Sequence, residues 1–468
     1  MTILKQKVID DYLAKYQSDP DKWCEDILGV KLWSMQKAII GSVFENRDTR
    51  VRSCYSIGKT FVSACAVLAF INLMTPCKII TSAPTWHQVS NLLWSEINYL
   101  FKTRLQPKGF PGTILQTMLR MRDDWFAIGF SSNDPVNFQG YHQKHVLVIL
   151  DEAPGIRPEI VDGTKALTSS GNAHTLWIGN PIDQTDHFFK SFQDINIPQH
   201  CKFKISAFDT PNFTGEDVPD EVKEKLINKQ WVDDRKKEWG EDSPLYQSKV
   251  LAEFPEGGEN QVITLRECEE ARKRDISYGG DKELGVDVAR FGSDLTVYTP
   301  IQGNMMFEQI TESKKDTMEI AGRIANMMNN DGYIIAKIDV IGIGSGVVDR
   351  LNEQGKDGII GINSAEKAFD SEKYYNRRTE MWFDAKEWLK EGKLPNDDEL
   401  IADLTAPLYT YTSKGQYKLE SKEETKKRLG RSPDRGDSAV MAIQNTMRMI
   451  NPVISTSQSM SYDDLGIE

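Results

Sequence analysis

Short apolar runs alternate with helical stretches over residues 32–205, and this alternation constrains the fold more than any other feature of the chain. The runs KIITSAP, HVLVILDEA and HTLWIGNP are typical of strands, and the helical stretch QVSNLLWSEINYLF follows the first of them. Strands that alternate with helices usually pair in parallel, with helices packed on the faces of the sheet. We therefore predict that the N-terminal part of the chain is an α/β domain.

A chain of 468 residues is too long for one ordinary core, so a second domain is expected. Polar helical stretches follow the first domain and end near the Pro/Gly-rich run EFPEGGEN, which is a candidate linker. Strand signals resume in ELGVDVARFG, DLTVYTPIQG and YIIAKIDVIG, and Gly303-Asn304 is predicted to form a hairpin turn. Ser421 and Glu424 are predicted to form a capping box, and Pro433 is predicted at the first position of the last helix. We predict four segments: an α/β core over 1–205, a helical lid or linker over 206–260, a second α/β domain over 261–450 and a mobile tail over 451–468.

Composition excludes several classes of protein. The net charge of −12 argues against a protein that coats nucleic acid nonspecifically, although a local basic strip remains compatible with DNA binding. The six cysteines include no C-x-x-C pair, which argues against a zinc ribbon and favours a reducing cytoplasm. His142 and His145 have chelate-like spacing, but a surface loop is the simpler interpretation. The longest apolar run, residues 64–74, is about half of a membrane-spanning helix.

The stretch VRSCYSIGKT ends as a phosphate-binding loop does. In such a loop the backbone N–H groups surround phosphates, a lysine reaches the β and γ oxygens, and a Ser or Thr hydroxyl holds Mg²⁺. Gly58, Lys59 and Thr60 match these last positions, while Ser53 replaces the first glycine. A buried helix is predicted to follow, with its N-terminus toward the phosphates.

Two further strand ends support an ATP site. Asp151 and Glu152 follow an apolar strand; the aspartate is suited to orient Mg²⁺ and the glutamate to polarise water. Alone, this pair would be interpreted as a solvated acidic pair. Asn180 in WIGNP ends another strand, where its side chain is a candidate sensor of the γ-phosphate. Near the N-terminus, Gln36 is a candidate for an adenine edge and Trp33 for stacking, with an exposed helix cap as the alternative.

The C-terminal half carries a different chemistry. Asp287 is predicted to lie mid-strand in LGVDVAR, Asp339 at a strand end in AKIDVIG, and Asp437 in a helix one turn after Asp434. Carboxylates in apolar strands are costly to bury unless they bind a cation. Together they would hold two Mg²⁺ or Mn²⁺ ions for cleavage of a phosphodiester, as in an RNase H-like nuclease. Taken singly, each is more simply a strand end or a cap, and Asp294 is a weaker candidate.

Basic residues cluster beside the final helix and are candidates for contacts with DNA phosphates. A solvated helix face is the ordinary interpretation of any one of them. They are Lys422, Lys426, Lys427, Arg428, Arg431 and Arg435.

The ordered combination of motifs resembles the large subunit of tailed-phage terminases, the ATP-driven motor and nuclease that packages viral DNA. The similarity runs from about Trp33 to Ala442. The matching runs are SCYSIGKT, ITSAPTWHQVSNLLWSEI, NFQGYHQKHVLVILDEAPGI, LWIGNP, LGVDVARFGSDLTVY, IDVIGIGSGVVD and KKRLGRSPDRGDSAVMAI. The resemblance implies an N-terminal P-loop ATPase domain of the additional-strand type, followed by an RNase H-like α/β nuclease domain.

The resemblance also implies roles for individual residues. Lys59 and Thr60 would bind phosphate and Mg²⁺, Asp151 would coordinate Mg²⁺, and Glu152 would be the catalytic glutamate. Gly179, Asn180 and Pro181 resemble the motif that couples hydrolysis to DNA movement. The nuclease triad would be Asp287, Asp339 and Asp437. The family needs an arginine at the γ-phosphate: Arg52 is the candidate, with Arg50, Arg120, Arg122 and Arg157 as alternatives.

The implied partners are double-stranded DNA, the portal of the procapsid, a small terminase subunit and further copies of the chain in a ring of five. No membrane is involved, and the expected place of action is the host cytoplasm, transiently on the procapsid and not in the mature virion. Two alternatives stay open at this point. One is a helicase-nuclease of DNA repair, and the other is a non-catalytic prophage protein that keeps the fold.

Overall fold

The structure is a computed structural model that describes residues 3–131, 141, 143–167, 172–255, 260–289 and 295–445. His142, Asp294 and the predicted tail over 451–468 lie outside these residues. The chain divides into two compact units, Met1–Lys236 with Pro244–Glu256, and Lys237–Ser243 with Gly257–Glu468. The four predicted segments stay a prediction.

The first unit is built from strands and helices in alternation. Its strands are β1 (Asp48–Ser53), β2 (Cys77–Ala83), β3 (Thr113–Ile114), β4 (Met118–Arg122), β5 (Trp125–Ser131), β6 (His145–Asp151), β7 (Ala173–Gly179) and β8 (Lys202–Ile205). Its helices are α1 (Ile3–Gln17), α2 (Pro20–Trp23), α3 (Ser34–Glu45), α4 (Lys59–Leu73), α5 (Trp94–Leu100), α6 (Pro158–Leu167), α7 (His187–Gln193), α8 (Pro211–Thr214), α9 (Asp220–Lys223), α10 (Lys229–Trp239, whose end belongs to the second unit) and α11 (Pro244–Lys249).

These strands form one sheet in the order β3-β4-β5-β2-β6-β7-β1-β8. The pairings from β5 through β8 are parallel, whereas β3, β4 and β5 pair antiparallel. Strand β7 lies between β1, which leads into the predicted phosphate loop, and β6, which ends in Asp151. An extra strand between these two is the feature that defines the additional-strand type, so the predicted fold of this unit is confirmed.

Burial of the central elements explains why the first unit folds in this way. Nearly every residue of α4 is buried, and the apolar run of β6 packs in a core with Ile80, Trp177, Phe188 and Phe254. A strand buried on both faces reads as a continuous apolar run, as β6 does. Across the parts of the chain that the structure covers, no helix is long and apolar enough to cross a membrane.

The second unit contains a sheet, a separate hairpin and a set of helices. Its strands are β9 (Lys282–Asp287), β10 (Thr296–Gln302), β11 (Met305–Met306), β12 (Ile310–Glu312), β13 (Tyr333–Asp339), β14 (Ile359–Ile362), β15 (Tyr409–Tyr411) and β16 (Tyr417–Leu419). Its helices are α12 (Leu265–Lys273), α13 (Thr317–Asn330), α14 (Gly344–Glu353), α15 (Arg377–Trp388), α16 (Asp398–Thr405), α17 (Lys422–Leu429) and α18 (Asp434–Ala442).

The main sheet of this unit has the order β11-β10-β9-β13-β14, and β12 also pairs with β10. Strand β10 runs antiparallel to β9 and β11, while β13 runs parallel to β9 and β14. An antiparallel meander whose first strand also pairs with a parallel fourth strand is the arrangement of RNase H-like domains, which confirms the predicted fold class. The Gly303-Asn304 turn joins β10 to β11 as predicted, with Gly303 at a φ of 58°.

Helix α18 lies on this sheet in close contact with β9. A Cβ atom at Gly285 would come within 2.5 Å of Ser438 O and 2.6 Å of Ala442 N, so only glycine allows this approach. The Ser438 hydroxyl donates to the carbonyls of Gly285 and Val297, at 3.1 Å each. The helix is thereby held over the strand that ends in Asp287.

Two local predictions need correction. Asp287 is the last residue of β9 rather than a mid-strand residue. Helix α18 begins at Asp434, and Pro433 precedes it with a non-helical ψ of 49°, so the proline lies at the cap rather than at the first helical position. The predicted capping box of Ser421 and Glu424 is confirmed at α17.

Candidate active sites

The predicted phosphate loop joins β1 to the N-terminus of α4. Gly58 precedes the helix with a φ of 81°, and a Cβ atom there would lie 2.6 Å from the Gln36 Nε2 atom. Glycine is therefore required at this position for both conformation and space. No side chain of the cap residue satisfies the first N–H groups of α4. A helix terminus of this kind favours a bound anion.

Ser53 occupies the place of the usual first glycine without strain. It is the last residue of β1, where it pairs with Ile205, and it is not among the described residues with positive φ. The left-handed turn falls instead at Ser56, with a φ of 52°. The backbone N–H of Cys54 donates to Ile205 O at 2.8 Å, and that of Tyr55 to Lys249 O at 2.9 Å. The loop is thus held by flanking strands and helices rather than by a first glycine.

Three of the predicted side chains meet beside this loop. The Lys59 ammonium donates to Asn180 Oδ1 at 3.1 Å and lies 3.8 Å from Glu152 Oε1. The Asn180 amide in turn donates to Ser53 O at 2.6 Å. Parallel strands β1, β6 and β7 end at the same edge of the sheet, which brings together residues far apart in sequence. Thr60 follows Lys59 in the first turn of α4.

The acidic pair at the end of β6 is held in a defined geometry. The Glu152 N–H donates to Asp151 Oδ1 at 3.2 Å, and Glu152 itself has a left-handed φ of 50°. Burial raises the pKa of Asp151 to about 7, and the neighbouring Glu152 carboxylate adds to this rise, while Lys59 opposes it. A non-glycine residue with positive φ is rare and costs about 1 kcal/mol or more. The turn aims the Glu152 carboxylate toward Lys59.

The two residues predicted to contact adenine are both buried, and they differ in what they could offer a ligand. Gln36 is buried, its Nε2 donates to Ile57 O at 2.9 Å, and its Oε1 has no hydrogen-bond partner. A buried amide oxygen without a partner is costly and suits an amino group of a ligand. Trp33 is fully buried at the start of α3, so its ring offers no exposed face for stacking. The prediction of a stacking Trp33 is therefore wrong in this structure.

Arg52 contacts an acidic and two aromatic side chains. Its Nη1 lies 2.7 Å from Glu253 Oε2, and its guanidinium lies over the rings of Phe254 and Phe192. A contact of Arg52 with a γ-phosphate stays a prediction and would require the side chain to leave Glu253. Of the alternatives, Arg50 is buried and bonds to Thr175 and Asp48.

In the second unit, three carboxylates surround one ammonium group. The Lys422 Nζ atom lies 3.0 Å from Asp287 Oδ2, 3.2 Å from Asp434 Oδ1 and 3.0 Å from Asp437 Oδ2. Asp287 ends β9, Asp434 and Asp437 lie one turn apart on α18, and Lys422 begins α17. We refer to these four residues as the carboxylate cluster.

Asp339 lies beside the cluster at the end of β13. The register pairs Ile338 with Val286, which places Asp339 next to Asp287 at the same sheet edge. Its Oδ1 accepts the N–H of Ile341 at 2.9 Å. The Arg378 guanidinium from α15 lies 3.3 Å from Asp437 Oδ1. The structure therefore brings together all four aspartates singled out by the sequence.

The carboxyl groups differ in the direction in which their surroundings shift the pKa. Burial raises the pKa of Asp287 to about 7, an effect that Lys422 opposes and the other aspartates increase. Burial likewise raises the pKa of Asp339. Burial also acts to raise the pKa of Asp437, but Lys422 and Arg378 together hold it below its ordinary value. Burial alone would lower the pKa of Lys422, yet the three carboxylates raise it far above its usual range.

The donor set of the cluster fits a divalent cation. Within the described residues, no group of three or more His, Cys, Asp or Glu has the spacing of a formed metal site. The Lys422 ammonium lies at the centre, where a cation would be coordinated. Asp437 Oδ2 is buried and has no well-oriented hydrogen bond. Buried carboxylate oxygens of this kind are ligands that Mg²⁺ and Mn²⁺ prefer.

Three of the basic residues near the last helix have partners within the protein, while Lys427 is exposed and the Arg428 side chain is 41% exposed. Arg428 donates to Ala406 O, Arg431 pairs with Asp403, and Arg435 pairs with Asp397 and Glu399. Charge patterns in the sequence do not distinguish such pairs from a DNA-binding strip. Sequence reasoning also missed Arg378 and Asp403. An Asp within the apolar run LIADLTAP was a signal for the second, but nothing in the sequence marks the first.

Comparison with known proteins gives one relative by sequence. No protein-family model matches the chain. The chain is 23% identical over 463 residues to the "Probable terminase, large subunit" of Enterobacteria phage P7, which covers 92% of each protein.

Three solved structures of phage proteins are similar to this chain, although their TM-scores are low. The nuclease domain of the large terminase subunit of bacterial virus Sf6 is 18% identical and covers 39% of this chain and 98% of its own, with a TM-score of 0.36. The large terminase of a thermophilic bacteriophage is 12% identical and covers 86% and 98%, with a TM-score of 0.42. The HK97 large terminase is also 12% identical and covers 88% and 95%, with a TM-score of 0.37. The sequence similarity spans nearly the whole chain and confirms the resemblance in the motifs, so this chain is similar over almost its full length to the large subunit of a phage terminase.

Proposed function

We propose that this chain is the motor and nuclease of a DNA-packaging terminase. It hydrolyses ATP in its first unit to move double-stranded viral DNA into a procapsid. It cuts concatemeric DNA in its second unit when packaging begins and ends. The observation that carries the proposal is the presence of two separate sites in one chain, a Lys59-Asn180-Glu152 constellation and a carboxylate cluster.

In the ATP site, the loop and the first turn of α4 bind the phosphates. Lys59 reaches the β and γ oxygens, and its contact with Asn180 links the γ-phosphate position to the end of β7. Glu152 orients the attacking water as general base. The Gln36 Oε1 atom, which has no hydrogen-bond partner, accepts a hydrogen bond from the adenine amino group. Thr60 and Asp151 would hold Mg²⁺, which when bound would neutralise charge on the phosphates.

In the nuclease site, Asp287, Asp339, Asp434 and Asp437 would hold divalent ions. When bound, two Mg²⁺ or Mn²⁺ ions supply Lewis acidity for water activation and for the leaving oxygen of a phosphodiester. Lys422 occupies the position of this cation charge, and its ammonium would be available for a DNA phosphate when the carboxylates hold metal. Arg378 keeps Asp437 ionised.

The partners follow from the same proposal. They are double-stranded DNA, the portal of the procapsid, a small terminase subunit that selects the start site, and further copies of the chain in a ring of five. The protein acts in the host cytoplasm, docks transiently on the procapsid and is absent from the mature virion. Arg52, or one of the arginines named with it, supplies the cation at the γ-phosphate.

A pair of single substitutions tests whether the two activities are separate. Lys59→Ala removes the phosphate-binding ammonium and is expected to abolish ATP hydrolysis while Mn²⁺-dependent cleavage continues. Asp287→Ala removes one carboxylate and is expected to abolish cleavage while ATP hydrolysis continues. Both are measured on the full chain, by phosphate release and by nicking of plasmid DNA.

Each variant serves as the folding control for the other, because each must retain the second activity. Loss of both activities in a folded Lys59→Ala or Asp287→Ala protein would contradict the two-site proposal. ATP-driven uptake of DNA into matching procapsids then tests the packaging role. Purified chain that unwinds duplex DNA without a procapsid would favour a repair enzyme instead.

A further inference from the structure

Helix α18 carries two of the four aspartates of the nuclease site, and its N-terminus has no local cap. The helix begins at Asp434, and the preceding Pro433 makes no side-chain hydrogen bond to it. The first N–H groups of a helix need acceptors from elsewhere when they are buried. The position of Asp434 and Asp437 therefore depends on what satisfies this first turn.

A carboxylate from another helix fills this role. Asp403, near the end of α16, accepts the N–H groups of Arg435 at 3.0 Å and of Gly436 at 3.2 Å, both on its Oδ2 atom. Its other oxygen lies 2.6 Å from Arg431 Nη2. The Asp403 side chain is fully buried. It acts as the N-cap of α18 although it is distant in sequence.

Close packing between α16 and α18 holds Asp403 against the first turn of α18. A Cβ atom at Gly436 would lie 3.0 Å from Trp382 Cη2 and 3.1 Å from Asp403 Cβ, so the glycine permits α18 to approach α16. Arg431 is itself held by donation from its Nε to Glu238 O at 2.6 Å. The cap is thus fixed on both sides, by the helix that it caps and by the arginine that it pairs with.

We propose that Asp403 is a positioning residue for the nuclease reaction, which holds Asp434 and Asp437 at the carboxylate cluster through the first turn of α18. This inference rests on the proposed function of that cluster. Asp403 touches neither the DNA nor a metal ion, and it acts through two backbone N–H groups. Residues that orient ligands in this way typically change metal affinity or activity about 10–100-fold when they are replaced.

The test uses the full chain with Mn²⁺ as the only probe. Asp403→Asn keeps the shape and one acceptor oxygen and is expected to weaken Mn²⁺ binding about 10-fold, while Asp403→Ala weakens it about 100-fold. Binding is measured by calorimetry without DNA. Hydrogen exchange of the Arg435 and Gly436 amides should accelerate in both variants.

Glu380 supplies a matched control in the same unit. It is buried, accepts the N–H groups of Phe369 and Asp370, and pairs with Arg377, but it contacts no residue of α18 in these bonds. Glu380→Gln should lower thermal stability about as much as Asp403→Asn, with Mn²⁺ affinity changed less than about 2-fold. A merely structural role for Asp403 would instead leave its variants with the affinity of Glu380→Gln.

The outcomes separate the two levels of inference. Wild-type chain that binds no Mn²⁺ and cuts no DNA would overturn the proposed nuclease function. Even then, unchanged amide exchange at Arg435 and Gly436 in the Asp403 variants would overturn the proposal that Asp403 caps α18. Wild-type chain that binds Mn²⁺, together with Asp403 variants of unchanged affinity, would overturn the positioning role alone.

Discussion

Replacement of Gly285 by alanine tests whether the contact between α18 and β9 positions the nuclease carboxylates. The new Cβ atom would lie 2.5 Å from Ser438 O, 2.6 Å from Ala442 N and 2.7 Å from Ala442 Cβ. Carbon atoms that are not bonded pack at about 3.5–4.0 Å. The atoms that it meets are mainly backbone and cannot rotate away, so α18 must shift by about 1 Å.

The size of the effect follows from this displacement. Overpacking of a close interface lowers the free energy of unfolding by about 1–3 kcal/mol. For Gly285→Ala we expect about 3 kcal/mol, the upper end of this range, because the new Cβ atom meets backbone atoms. For a unit of about 200 residues each kcal/mol lowers Tm by about 2–4 °C, which predicts a decrease of about 6–12 °C. A misplacement of about 1 Å costs about 100-fold in rate, so DNA cleavage should fall by about that factor.

Calorimetric unfolding and plasmid nicking with Mn²⁺ measure these two effects, and ATP hydrolysis reports whether the first unit stays intact. Gly322→Ala in α13 is the matched control, because a Cβ atom there meets nothing within 4 Å. Alanine is favoured over glycine inside a helix by about 1 kcal/mol, so this control should be slightly more stable and fully active. A Gly285→Ala protein with wild-type Tm and cleavage rate would refute the close contact.

Two further predictions concern buried charges in the second unit. Lys337 is almost fully buried, donates to Ala442 O at 2.7 Å and Gln444 O at 2.5 Å, and pairs with Glu283. Lys337→Met should therefore destabilise this unit by about 3 kcal/mol in urea unfolding, because one partner of a buried pair is lost; a value under about 1 kcal/mol would contradict this. Burial raises the pKa of Asp287 to about 7, above its unfolded value, so its ionisation should reduce metal-free stability as pH rises from about 4 to about 7. Asp287→Asn should flatten this decrease in thermal scans with EDTA, and an unchanged slope would argue against it.

The sequence alone was sufficient for the order and type of the main elements. Apolar runs such as the one before Asp151 are dictated by burial on both faces of a sheet, and the helix after Gly58 by its continuous apolar composition. The capping box at Ser421 and the turn at Gly303 are local, so local residues predict them. The misplacement of Pro433 by one position shows how little sequence says about exact helix boundaries.

Side-chain partners across the chain required the tertiary structure. Lys422 was a candidate for contact with DNA phosphates, with a solvated helix face as the ordinary interpretation. It lies among the carboxylates, because β9, α17 and α18 meet at one sheet edge. Arg431, which lies between α17 and α18, is paired with Asp403 because α16 packs against α18. Residue types along a helix show which charges are available but do not show which partner is nearest after packing.

Residue types therefore indicated the candidate chemistry of this protein. One unit has a lysine at a helix start and a glutamate and an asparagine after strand ends, and the other has acidic residues at strand and helix ends. Tertiary structure alone decided how these groups are held. The serine in place of a first glycine is accepted because Ser53 ends β1 and the left-handed turn falls at Ser56. The first turn of α18 is capped by Asp403, from a helix some thirty residues earlier. Contacts of this kind join residues distant in sequence, and only packing determines which of them meet.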